Sequence, residues 1–121
     1  MTTSKRILIV CRKAPYGNLL SREALDIALA TAVFDQQLSL VFTGDGVWQL
    51  LKDQHSESIE AKNHGKLISA FPHYDIEDIY IDSASMAQRN ITVADLIIDA
   101  KTVDKTTIAE LMEKSDSIFN F

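Results

Sequence analysis

The chain has 121 residues, 46% of them hydrophobic, with four Gly, two Pro and a formal charge of −5 from 12 Lys and Arg against 17 Asp and Glu. That length suits one domain over residues 1–121, and the composition is that of a compact globule, which excludes a disordered or low-complexity chain. One cysteine, Cys11, excludes an intramolecular disulfide, no stretch approaches the roughly 18–20 consecutive apolar residues of a membrane span, and the dispersed basic residues disfavour direct tRNA or DNA binding, which needs clustered cations to displace counterions.

Met1 to Arg6 run directly into the strand-like Ile7-Leu8-Ile9-Val10 instead of a long apolar signal segment, so the expected compartment is the cytoplasm. Ile7 to Cys11 is a continuous apolar run, as in a strand buried on both faces of a parallel sheet. Arg12 to Leu20, with Pro15 and Gly17, reads as a loop. From Ser21 the spacing of Ala24, Leu25, Ala28, Leu29, Ala32 and Val33 predicts a helix, with Ser21 as its N-cap and Glu23 in its first turn.

Leu38 to Phe42 is a second strand, closed by Gly44-Asp45-Gly46, after which Val47, Trp48, Leu50 and Leu51 begin a short helix. Asp53 to Glu60 is polar and reads as a loop, and Ala61 to Phe71 as a helix ended by Pro72. Ile79-Tyr80-Ile81 is a third strand, Ser83 to Arg89 a brief helix, Leu96-Ile97-Ile98 a fourth strand, Lys105 to Lys114 a helix and Ser117 to Phe121 a fifth strand. This alternation predicts an α/β fold, a parallel sheet with helices on both faces and any site at the carboxyl ends of the strands.

Gly44-Asp45-Gly46 could meet an anion with backbone N–H groups and use Asp45 as a base. The plainer reading, a tight strand-to-helix turn with Asp45 as a cap, is favoured because neither G-x-G-x-x-G nor G-x-x-x-x-G-K-[ST] is present. Cys11 could face the same crevice beside Arg12 and Lys13, yet a cysteine ending an apolar strand is more often core. His55, His64 and His73 lack the spacing of zinc ligands, and a triad built on Ser83 or Ser85 with Asp82 lacks its elbow motif, so no metal or cofactor is expected. Trp48, with Leu51, Phe71 and Tyr74, fits a core and a protein interface equally. Val47, Trp48 and Leu51 are the interface candidates.

Four motifs lie in order: Ala14-Pro15-Tyr16-Gly17, Ser21-Arg22-Glu23-Ala24-Leu25-Asp26, Gly44-Asp45-Gly46-Val47-Trp48-Gln49-Leu50-Leu51 and Tyr74-Asp75-Ile76-Glu77. With the terminal Ile118-Phe119-Asn120-Phe121, they make the chain from Lys5 to Phe121 resemble the DsrE/DsrF-like family. The resemblance implies a three-layer α/β/α sandwich on a five-stranded parallel sheet. It also implies a cytoplasmic heterohexamer with TusB-like and TusD-like subunits, two copies of each, passing persulfide sulfur from TusA through a TusD-type cysteine to TusE. The sulfur ends as a 2-thio group on the wobble uridine of certain tRNAs.

In such families the relay cysteine follows the third strand, and the matching position here is Asp82. A carboxylate cannot carry a persulfide, because that chemistry needs a thiolate sulfur. The resemblance therefore implies a non-catalytic accessory subunit. Two alternatives stay open: a DsrF-type subunit of an intracellular sulfur-oxidation complex, and a small-molecule enzyme using Asp45 and Asp82.

Overall fold

The computed structural model describes residues 5–13, 20–33, 37–51 and 66–121. Strands β1 (Arg6–Cys11), β2 (Gln37–Phe42), β3 (Asp78–Asp82), β4 (Lys101–Val103) and β5 (Ser117–Asn120) form one sheet in the order β4-β3-β2-β1-β5, and every neighbouring pair is parallel. Helices α1 (Leu20–Val33), α2 (Ser83–Gln88) and α3 (Lys105–Lys114) join 3-10 turns at Gly44–Leu50, Phe71–Tyr74 and Val93–Asp95, and residues 66–69 are also helical.

The topology decides which face each helix covers. From β1 to β4 each strand is laid on the same side of its predecessor, so right-handed crossovers put α1 and α2 on one face. The step from β4 back to β5 crosses the whole sheet in the other direction and carries α3 to the opposite face. Side-chain packing agrees. Ile9, Cys11, Leu40, Phe42 and Ile81 pack with Ala24, Leu25 and Ala28 of α1 and with Ile68 and Phe71, whereas Leu8, Val10 and Val41 pack with Ile108, Leu111 and Met112 of α3. The result is a three-layer α/β/α sandwich.

The layers are unequal. At about 1.5 to 3 kcal/mol for each large apolar side chain fully buried, the α1 face carries most of the hydrophobic stabilisation. Among the described residues the other face rests on three that are fully buried, and α3 itself has no buried residue. The continuous apolar run of β1 is explained by this arrangement, since its alternate residues enter two different cores.

The predicted strands at Ile7–Cys11, Leu38–Phe42, Ile79–Ile81 and Ser117–Phe121 and the helix at Lys105–Lys114 are found within a residue or so at each end. The fourth strand is elsewhere. Leu96 is buried and forms an isolated antiparallel bridge with Leu51, the Ile97 N–H donates to the Leu50 carbonyl at 2.7 Å, and the strand is the polar Lys101–Val103. An edge strand keeps polar residues because one border and much of its surface meet water, while the apolar Leu96-Ile97-Ile98 packs against the core as non-strand chain.

Three local expectations also change. Helix α1 starts at Leu20, so Ser21 lies in its first turn and not at the N-cap. The helix after β2 is a 3-10 helix beginning at Gly44 itself. Pro72 does stop the helix at residues 66–69, but the chain continues through Phe71 as a 3-10 turn with Pro72 near its start. The expected loop at Asp53–Glu60 and the expected start of a helix over residues 61–65 lie outside the described residues.

Candidate functional site

The carboxyl ends of β1, β2 and β3 lie side by side, and there Asp82 closes β3. Its carboxylate is fully engaged. Thr43 Oγ1 and Ser85 Oγ each donate to Oδ2 at 2.8 Å, and the Ala84 backbone N–H donates to Oδ1 at 3.1 Å, making Asp82 the N-cap of α2. The Gly44 N–H in turn donates to Ser85 Oγ at 2.9 Å. One side chain therefore ties the end of β2 to the end of β3 and to the helix that follows.

Burial pulls the Asp82 carboxyl upward, but the hydrogen bonds from Thr43, Ser85 and the backbone of Ala84 and Ser85 outweigh it and hold the group below its ordinary value. It is a buried structural anion, 6% exposed, already supplied with donors. That arrangement does not suit a general base, which would have to present a free lone pair to a substrate. Ser85 is equally committed, since its hydroxyl donates to Asp82 and accepts from Gly44.

Asp45 is not a cap. Its carboxylate pairs with Arg89 at 2.9 Å, and Arg89 also donates to the Ser85 carbonyl at 3.2 Å, so the pair braces the outside of the same cluster. Thr43 is the residue at the N-cap of the 3-10 helix, and its hydroxyl goes to Asp82. Asp45 and Asp82 thus serve two separate hydrogen-bonded arrangements.

The two glycines of the turn have different reasons. Gly44 has a φ of +55°, a left-handed conformation that an L side chain rarely adopts. Gly46 lies against the end of β1, where a Cβ would fall 1.9 Å from the Cys11 carbonyl oxygen. Backbone at that distance cannot move aside as a flexible side chain could.

Cys11 faces the α1 core with no exposed surface, and burial pushes its thiol up to about 12. At neutral pH it is a protonated, inaccessible thiol. The expected core role is what the packing shows.

Of the interface candidates, Val47 must be corrected: it has no exposed surface and belongs to the core. Trp48 and Leu51 are half-buried and pack against that core, each keeping a surface toward solvent. Phe71 is buried and Tyr74 is 50% exposed. His73 is exposed in its 3-10 turn, while His55, His64 and the Ala14-Pro15-Tyr16-Gly17 motif lie outside the described residues.

Sequence reasoning singled out Asp82 but missed Thr43 and Arg89, and it weighed Ser85 only as a nucleophile. The D-x-x-S spacing of Asp82 and Ser85 opening a helix was an available signal, because it places the serine hydroxyl over the cap. Nothing local links Thr43 to Asp82, 39 residues away.

An open parallel sheet with helices on both faces, a structural carboxylate at its carboxyl edge and its thiol in the core define a small α/β/α domain without an accessible sulfur nucleophile among the described residues. The DsrE/DsrF-like family model matches residues 5–121, and the chain belongs to that family. It is 34% identical to the protein TusC homolog of Vibrio parahaemolyticus, over 91% of this chain and 93% of that one. It is 33% identical to the intracellular sulfur oxidation protein DsrF of Allochromatium vinosum, over 97% and 96% respectively. The ychN protein of E. coli shares the fold with a TM-score of 0.83 at 21% identity, covering 97% of this chain and 99% of that one.

Proposed function

We propose that the chain is a non-catalytic TusC-type subunit of a cytoplasmic sulfur-relay complex required for 2-thiolation of the wobble uridine of tRNA. Its direct partners in this reading are TusB-like and TusD-like subunits in a heterohexamer, with TusA and TusE engaged indirectly. No helix among the described residues is long and apolar enough to cross a membrane.

One observation carries the reading: the oxygens of Asp82, which the resemblance assigns to the relay-cysteine position, are occupied by Thr43, Ser85 and Ala84, while Cys11 is sealed in the core. The domain keeps the frame of a sulfur carrier and uses that position as a brace. Its contribution is then assembly and shaping of a neighbouring subunit's site.

A second reading, a DsrF-type subunit of a sulfur-oxidation complex, is favoured by the nearly equal identity to the Allochromatium DsrF. Coexpression with the adjacent genes, followed by native mass spectrometry, tests both. Two copies each of this chain and of TusB-like and TusD-like chains support the first. A complex with DsrE-like chains of a sulfur-oxidation operon supports the second, and a chain that remains alone defeats both.

A further inference from the structure

Ile97 and Ile98, part of the apolar run that reads as a strand and is not one, line a groove of about 510 Å³ on the α1 face of the sheet, just ahead of the edge strand β4. Ile76 and Ile79, each 2% exposed, form its floor, and Ile97 and Ile98 are only partly buried beside them. Irregular chain gains nothing from exposing such side chains to water. Apolar surface left open and rimmed by polar residues is the mark of a binding surface.

The rim has one sign of charge. Glu77 and Asp99 line the groove, both exposed, and no Lys, Arg or His among the described residues joins them. Lys101, two residues beyond Asp99, is held toward the other face, 4.0 Å from Asp78 and 5.5 Å from the centre of the Tyr80 ring, which packs with the α3 layer. Asp45, Asp78, Asp82 and Asp104 all have partners, whereas Glu77 and Asp99 enter no ion pair or side-chain hydrogen bond among the described residues. A small-molecule site fixes its ligand with polar groups set inside an apolar pocket. Here the polar lining residues Ser69, Glu77 and Asp99 are all exposed, which suits a side chain that another protein holds in place.

We propose that this groove docks a segment of a partner protein that presents one large apolar side chain next to an Arg or Lys, the apolar group lying on Ile76 and Ile79 against Ile97 and Ile98 and the cation at Glu77 and Asp99. The apolar contact supplies most of the affinity, at about 1.5 to 3 kcal/mol for a large side chain fully buried. The exposed carboxylates add less and select the sign of the neighbouring charge. The groove stands on its own lining and not on the relay reading, so either can fail without the other.

Because the groove is built of isoleucines, the test is methyl NMR of the full chain labelled at its isoleucine δ1 carbons, titrated at low ionic strength with acetyl-Gly-Leu-Arg-Gly-amide and with its Leu-Glu and Ala-Arg counterparts. The Leu-Arg peptide should shift the Ile79, Ile97 and Ile98 methyls saturably and leave Ile108, on the α3 face, unmoved. The Leu-Glu peptide should bind more weakly, and the Ala-Arg peptide about tenfold more weakly. Glu77→Gln and Asp99→Gln should each weaken the Leu-Arg peptide about threefold, the scale of an exposed ion pair. Glu77→Lys combined with Asp99→Lys should reverse the preference in favour of Leu-Glu, a gain that a folding defect cannot produce. Absence of saturable shifts, or shifts centred on Ile108, overturns the groove. Equal affinity for Leu-Arg and Leu-Glu overturns the basic neighbour, and equal affinity for Leu-Arg and Ala-Arg overturns the apolar anchor.

Discussion

Asp82 shows how one residue can hold several elements together. The carboxylate is buried and accepts from Thr43, Ser85 and Ala84, whereas a thiolate that exchanges sulfur needs exposure. Asp82→Asn leaves one oxygen to accept what two accept now and turns amide hydrogens toward existing donors. It should lower unfolding free energy at neutral pH by about 1 to 3 kcal/mol, measured from urea transitions. The pH dependence has a fixed sign. Because the folded carboxyl titrates below its ordinary 3.8, its stabilisation is complete above that value and is lost as pH falls toward the folded value. The acid limb of the stability curve should therefore be shallower in Asp82→Asn, and an unchanged limb would show that Asp82 contributes no such linkage. That Asp82 ends a strand could be read from its sequence neighbours, Ile79-Tyr80-Ile81 before it and Ser83 after it. Its engagement by Thr43 could not, because it arises only when β2 and β3 pair.

At the scale of elements, the Gly44–Leu50 turn is the part most constrained by its surroundings. Gly46 passes so close to the Cys11 carbonyl that any side chain displaces backbone of a central strand. Gly46→Ala should cost about 3 kcal/mol or more, at the upper end of overpacking effects, with a melting temperature far below that of a control substitution at exposed Glu110. A melt equal to wild type would mean that the turn and β1 can separate freely. Trp48, four residues on in the same 3-10 helix as Gly44, is half-buried against the core. Trp48→Ala should weaken association with partner subunits by about 2 kcal/mol, while its own melt falls less than that of Leu50→Ala, which empties a fully buried position. Unchanged partner affinity would remove Trp48 from the interface. Most elements were legible because period and punctuation agreed: β1 and β2 as apolar runs, and α3 from a pattern found unaltered in the structure. Two failures have physical causes. Leu96-Ile97-Ile98 satisfies the apolarity of a buried strand but packs as irregular chain, and Val47 looks like a surface anchor only until the tight turn at Gly46 aims it inward.

At the scale of the whole molecule, the sheet order places the carboxyl ends of β1, β2 and β3 together and leaves α3 as the one helix on its face among the described residues. The parallel α/β architecture and the location of the site at that edge followed from the alternation of elements and the handedness of crossovers. In the proposed role the chain is required for the relay but carries no sulfur on its own cysteine. The most direct measurement is the 2-thiolated fraction of wobble uridine in a host lacking this chain, complemented with wild type or with Cys11→Ala at equal protein level. Thiolation should be lost without the chain and restored equally by both. Thiolation that persists without the chain, or that Cys11→Ala fails to restore while the complex still assembles, would contradict it.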